Sequence, residues 1–216
     1  MSENSLHALG RPANRAKNAR IIAVTEQALG HGGLAGTSVE AIARAAGVSK
    51  GTIYNQFGSF DALVMVVLQC AAETLNARVS AAVTDNGTVK DRLFAACNAL
   101  LSEVNQQHLL TLERVVQELA MRNRELAWDF YRKGPQTTIA ILTKILNAGF
   151  GRDAETMAKR LVALCRGDEQ HLVSMSLRGP LSAEEQFKHI SECIDFILAV
   201  AHLSVPGTNT ALGSAG

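Results

Sequence analysis

The sequence predicts an all-α protein. A three-helix helix-turn-helix unit stands at the N-terminus, and a larger helical domain follows, with about nine helices in total. Three observations carry that expectation. Only four prolines occur in 216 residues, while Ala and Leu dominate a chain that is 47% hydrophobic, which favours helix as the local state. No run shows the period-two alternation of a half-buried strand. Gly and Ser residues punctuate the chain where helices should stop and restart.

The elements follow in order. Residues 1–14 read as a flexible basic arm containing Gly10-Arg11-Pro12. A first helix is expected from Asn14 to Leu29, with the apolar stripe Ile21, Ile22, Thr25, Ala28 and Leu29, and the segment GHGGLAG ends it. Thr37-Ser-Val-Glu40 reads as a capping box for a second helix, Ser38–Ala46. Gly47 stops that helix and Ser49 caps a third, Lys50–Phe57. Gly58 ends the third helix, and Ser59 with Asp61 starts a long fourth one, residues 60–83. Further helices are expected at 89–105, 108–121 and 123–147, the last broken at Gly134-Pro135. Two more are expected at 153–177 and 182–204, the second opened by the capping box Ser182-Ala-Glu-Glu185. Residues 205–216 read as a disordered tail. The domain division is 15–60 for the helix-turn-helix unit and 61–204 for the rest.

Charge adds a direction. The formal net charge is only +1, but residues 1–60 hold six basic and three acidic groups, a net of +3, and the remainder carries −2. A basic head on an acidic body suits a polyanionic partner for the head. The four cysteines, Cys70, Cys97, Cys165 and Cys193, form no C-x-x-C pair and sit in apolar helical patterns, as buried small hydrophobes do. The six histidines are scattered, with no metal or nucleophile motif, so no catalytic residue, metal or cofactor is assigned. With no signal peptide at the start and no uninterrupted apolar run of bilayer length, the chain is expected in the cytoplasm.

The stretch AIARAAGVSKGTIYNQFGS carries the chemistry. Ala41, Ile42 and Ala45 are expected on the inner face of the second helix, and small alanines let the third approach it closely. The third helix cannot bury Ser49, Lys50, Thr52, Tyr54 and Asn55 at once. Its N-terminus offers free amides and the positive dipole end to a phosphate. Lys50 adds charge, and Gly51 lets the backbone come near a sugar-phosphate strand. Thr52 and Asn55 can reach base edges in the major groove, and Tyr54 can bond a phosphate or pack on a thymine methyl. A helical adaptor that binds only protein remains the competing reading; it would tolerate Tyr54→Ala.

TSVEAIARAAGVSKGTIYNQFGSFDAL resembles the N-terminal domain of the tetracycline-repressor (TetR-type) family of bacterial transcriptional regulators. HLLTLERVVQELAMRNRELAWDFYRKGPQTTIAILTKIL resembles a C-terminal domain found in many such regulators. The resemblance implies a homodimeric, ligand-responsive regulator, by default a repressor, on a double-stranded, palindromic operator. It implies phosphate binding by Thr37 or Ser38, and DNA contacts from Ser49, Lys50, Gly51, Thr52, Tyr54, Asn55 and Gln56. Family members often carry lysine where this chain has Phe60, so Phe60 is expected to pack beside Phe57 or on the first helix, with Arg15, Lys17 or Arg20 compensating. Gly10-Arg11-Pro12 resembles the core of a minor-groove hook.

The last helix is apolar on two sides, Phe187, Ile190, Ile194, Ile197, Leu198 and Ala201 on one and Cys193, Phe196 and Val200 on the other. A helix apolar on both sides must be buried on both. With Met157, Leu161, Leu164, Cys165 and Leu172 of the preceding helix, it is expected to form a four-helix dimer interface as the family does. The resemblance also implies an effector, small and apolar or amphipathic, with Phe94, Cys97, Leu101, Met121, Trp128 and Tyr131 as expected cavity wall.

Overall fold

The computed structural model describes residues 12–204, so residues 1–11, with Gly10 and Arg11 of the expected arm, and the tail 205–216 lie outside the described residues, while the first helix already begins at Pro12, two residues before its expected start at Asn14. Among the described residues there are ten α-helices, one 3-10 turn and no strand. Helices α1 (Pro12–Gly32), α2 (Val39–Ala46) and α3 (Lys50–Phe57) make the N-terminal unit. Helix α4 (Phe60–Ala82) leads into α5 (Val89–Val104), α6 (Gln107–Arg122), α7 (Arg124–Lys133) and α8 (Pro135–Phe150). A 3-10 turn (Gly151–Asp153), α9 (Ala154–Ser174) and α10 (Ala183–Ser204) follow. The expected helix 123–147 is two helices because of Gly134-Pro135. Proline takes the first position of α8, where its missing N–H costs nothing. Gly134 is needed for close approach: a Cβ there would lie 3.0 Å from Ala72 Cβ of α4 and 3.1 Å from the Phe130 carbonyl.

Helix ends follow local chemistry. Ser49 and Ser59 cap α3 and α4, accepting from the amides of Thr52 and Ala62. Ser182 and Glu185 make the expected capping box, the Ser182 N–H donating to the Glu185 carboxylate at 2.8 Å and the Glu185 N–H to the Ser182 hydroxyl at 3.3 Å. Thr88 and Asp91 make another, ahead of α5. The Thr37 box is displaced by one residue: Ser38 caps α2, accepting from the Ala41 amide, while the Thr37 hydroxyl turns back and donates to the Gly33 carbonyl at 2.7 Å. Helix α1 continues past the expected stop at Leu29 to Gly32. Inside α9, Gly167 has non-helical backbone angles and breaks the helix.

Two apolar cores organise the chain. One joins α1, α2 and α3 to the first half of α4 and to Leu112, Val115 and Leu119 of α6. The other gathers α5, α8, α9 and α10 around Val79 of α4. Helix α4 therefore belongs to both. It is also long and apolar enough, by length and composition, to cross a bilayer, contrary to the expectation that no such run exists; half of that window is buried inside the protein. A helix apolar nearly all round serves equally well as a core helix.

Candidate nucleic-acid interface

The helix-turn-helix is built on a narrow apolar seam. Val39, Ile42, Ala43 and Ala46 of α2 are buried, whereas Ala45, expected inside, is exposed and Ala41 only half-buried. The periodicity of an eight-residue helix leaves its phase uncertain by one position, and Val39 sets it. Gly47 ends α2 in the left-handed region at φ 64, ψ 39, its N–H directed at the carbonyls of Ala43 and Arg44. The chain then reverses, and α3 docks through Ile53, its one fully buried residue.

With one anchor, α3 turns the rest of its surface outward. Ser49, Lys50, Gly51, Tyr54, Asn55 and Gln56 are exposed and Thr52 is half-buried. Tyr54 is 46% exposed, so both its ring and its hydroxyl are open to a partner. Ser38 and Arg20 are exposed too, and Arg20 reaches over the turn, its guanidinium 3.5 Å from where a Cβ of Gly47 would stand. Helical spacing puts Lys50, Gly51, Tyr54 and Asn55 on one side of α3, next to the amides of its N-terminus, and Gln56 on another. Thr37 does not belong to this surface: it is buried, its hydroxyl donating to the Gly33 carbonyl. Phe60 is half-buried and, like Phe57, packs against the N-terminal core.

Two features of this face were not anticipated. Lys50 Nζ donates to Glu40 Oε1 at 2.8 Å across the turn. That hydrogen bond, and then the opposite charge, raise the Lys50 pKa and lower that of Glu40. The pair is open to solvent, so it directs the ammonium without locking it. Asn18 of α1 is fully buried and donates its amide to Gln56 Oε1 at 3.2 Å. Gln56 thus ties α3 to α1 as well as facing outward. Spacing in the sequence pairs neither contact, since 38 and 10 residues separate the partners.

The large domain departs further from expectation. An apolar pocket of about 170 Å³ lies among α4, α5, α6, α8 and α9, reached also by Phe130 of α7. None of the six expected wall residues lines it. Cys97 and Leu101 are buried in the core, and half-buried Phe94 packs against Phe187, the rings tilted by 55° with centroids 4.9 Å apart. Met121 is 82% exposed, and Trp128 and Tyr131 pack edge-to-face on the surface. Helix α7 has no fully buried residue and directs Phe130 inward instead. Of the expected interface stripe, Met157, Leu161, Ile190, Ile194 and Ile197 lie in the chain's own core and Leu198 packs against it. The side chain of Ala201 lies outside the described residues. Left outward on α9 and α10 are Leu164, Phe187 and Phe196, the last 62% exposed. All four cysteines are buried and none forms a disulfide; hydrogen bonding to Cys165 and then burial push the Cys193 thiol up.

A capped helix-turn-helix with a polar second helix, carried on an all-helical body, defines a DNA-binding transcriptional regulator. Residues 21–66 match the family model of bacterial regulatory proteins of the tetR family, and residues 91–200 match the AefR-like transcriptional repressor C-terminal domain. The chain belongs to the TetR family of transcriptional regulators. No functionally curated protein matches it. Among solved structures it is similar to a transcriptional regulator from Rhodococcus sp. Rha1 (28% identity, 85% of this chain and 96% of that one, TM-score 0.68). It is also similar to the flavonoid-responsive regulator FrrA (26% identity, 86% and 96%, TM-score 0.68). A chain assigned to the TetR family from Mesorhizobium loti MAFF303099 shares the fold (24% identity, 86% and 96%, TM-score 0.77).

Proposed function

We propose that this regulator is a homodimeric repressor that holds a near-palindromic operator and releases it when a small molecule enters the pocket among α4, α6 and α9. Residues 15–60 then form the DNA-binding unit and 61–204 the effector and dimer unit. The observation that carries this reading is the double use of α4. It begins three residues after the recognition helix α3 ends, and Leu68, Ala71, Ala72, Leu75 and Asn76 on the same helix line the pocket. An effector that favours one placement of α4 changes the separation of the two recognition helices. A release of tens-fold in affinity needs only about 2 kcal/mol of differential binding. Ser49, Lys50, Gly51, Thr52, Tyr54 and Asn55 contact DNA, with Ser38 and Arg20 on flanking phosphates. The second copy covers Leu164, Phe187 and Phe196, apolar groups that a single chain leaves exposed.

Footprinting on DNA flanking the gene tests it. The expected result is a pair of protected half-sites about one helical turn apart or somewhat more, occupied by two chains, and lost with Tyr54→Ala. Protection of a single half-site by one chain, or equal protection by the variant, overturns it.

A further inference from the structure

We propose that the pocket takes a neutral molecule of one-ring size bearing a hydroxyl, a phenol-like compound rather than a hydrocarbon or a carboxylate; this rests on reading the pocket as the effector site. Size sets the first limit. A cavity of about 170 Å³ is close to the ~150 Å³ of an apolar protein cavity that accepts benzene, and well below the ~300–1,000 Å³ of sites for drug-sized ligands.

Polarity sets the second. Two polar groups enter an otherwise apolar wall. The first is satisfied from within: the Asn76 amide donates to the Gly134 carbonyl at 3.1 Å and its oxygen accepts from the Thr138 hydroxyl at 2.5 Å. The second is the Arg166 and Glu113 pair, joining α9 to α6, with Gln170 bonded to Arg166 as well. Its charges cancel. A ligand with its own net charge would leave one charge uncompensated beside apolar walls. A hydroxyl brings none. It can donate to Glu113 Oε2, whose contact from Gln170 is long at 3.4 Å, and accept from a remaining Arg166 N–H. Both side chains are more than a third exposed, which moderates the discrimination to about tenfold rather than thousands-fold.

Calorimetric titration of the DNA-free protein at neutral pH, with phenol, benzene and benzoate as probes, tests this. Phenol is expected to saturate one site per chain and to bind about tenfold or more tighter than either of the others. Glu113→Gln leaves Arg166 uncompensated and should reverse the order, benzoate then binding tighter than phenol. Ala71→Leu fills the pocket and should abolish all three. Equal binding of phenol and benzene, preference for benzoate in the unmodified protein, or no saturable phenol binding overturns the proposal. Should Glu113→Gln fail to fold, the order of the three probes on the unmodified protein still decides. Phenol that binds with the expected selectivity yet leaves operator affinity unchanged supports the ligand class and contradicts the effector reading, so the two failures are separate.

Discussion

Replacing Gly47 by alanine isolates what the turn between α2 and α3 demands. Gly47 stands at φ 64, ψ 39, a conformation that costs an L-residue about 1–2 kcal/mol. A Cβ there would meet only Arg20 Nη2 at 3.5 Å, an ordinary contact, so no clash adds to the backbone cost. Alanine also restricts the unfolded chain, which offsets roughly 0.4–1 kcal/mol. The net destabilisation is at most about 1.6 kcal/mol and centres on about 0.8 kcal/mol, which for a chain of this length lowers Tm by roughly 2–3 °C. Asparagine, which enters the left-handed region more readily, should cost less than alanine, and β-branched valine more. Thermal melting of the three variants, followed by circular dichroism, reads the order directly. Operator affinity should fall in the same order, because the turn sets how α3 is presented. An alanine variant more stable than the original, or a valine variant more stable than the asparagine one, would refute the reasoning.

Lys50→Ala should lower the slope of log affinity against log salt by about 1, the signature of one lost phosphate contact. Glu40→Gln should tighten DNA binding instead, since it frees Lys50 and removes a negative charge from the same face; fluorescence anisotropy at several salt concentrations measures both. Phe196→Glu should shift the protein from dimer to monomer in sedimentation experiments while leaving its helical content unchanged, and an intact dimer would show that another surface pairs the chains. Asp91 tests the cap of α5. The Thr88 backbone N–H, then its hydroxyl, hold the Asp91 carboxyl below its ordinary value of 3.8. A carboxylate depressed in the folded state stabilises at pH above the unfolded value, and that stabilisation is lost as pH falls through the folded one. Asp91→Asn should therefore lower Tm at neutral pH, and the gap should close on acidification below the ordinary value; a gap independent of pH contradicts the cap.

What could be read in the sequence was local. Ser49, Gly47, Gly134-Pro135 and the Ser182 box act between residues a few positions apart, and each stands where local chemistry placed it. The cap expected at Thr37 stands one residue on, at Ser38, because two adjacent hydroxyls compete and the carbonyl of Gly33 takes the first. Long-range features were not legible. Apolar periodicity says that a face of α9 or α10 is buried, not what buries it. Ile190, Ile194 and Ile197 face their own core, while Phe187 and Phe196 are left outside. Trp128 and Tyr131 have the chemistry of ligand contacts, yet their place on an outer helix removes them from the pocket. The wall is made instead by residues such as Ala71, Leu112 and Arg166, which carry no distinguishing signal until α4, α6 and α9 are brought together.

Whether the exposed face of α3 reads DNA is tested most directly by one measurement. Genomic fragments are selected by the purified protein and, in parallel, by Tyr54→Ala, and the enriched fragments are titrated against unrelated DNA at two salt concentrations. A DNA-reading α3 selects a small set of fragments sharing a near-palindrome, bound in the presence of competitor by the unmodified protein and lost by the variant. No enriched fragment, or the same enrichment with Tyr54 removed, would contradict it and leave a helical protein that acts through protein contacts alone.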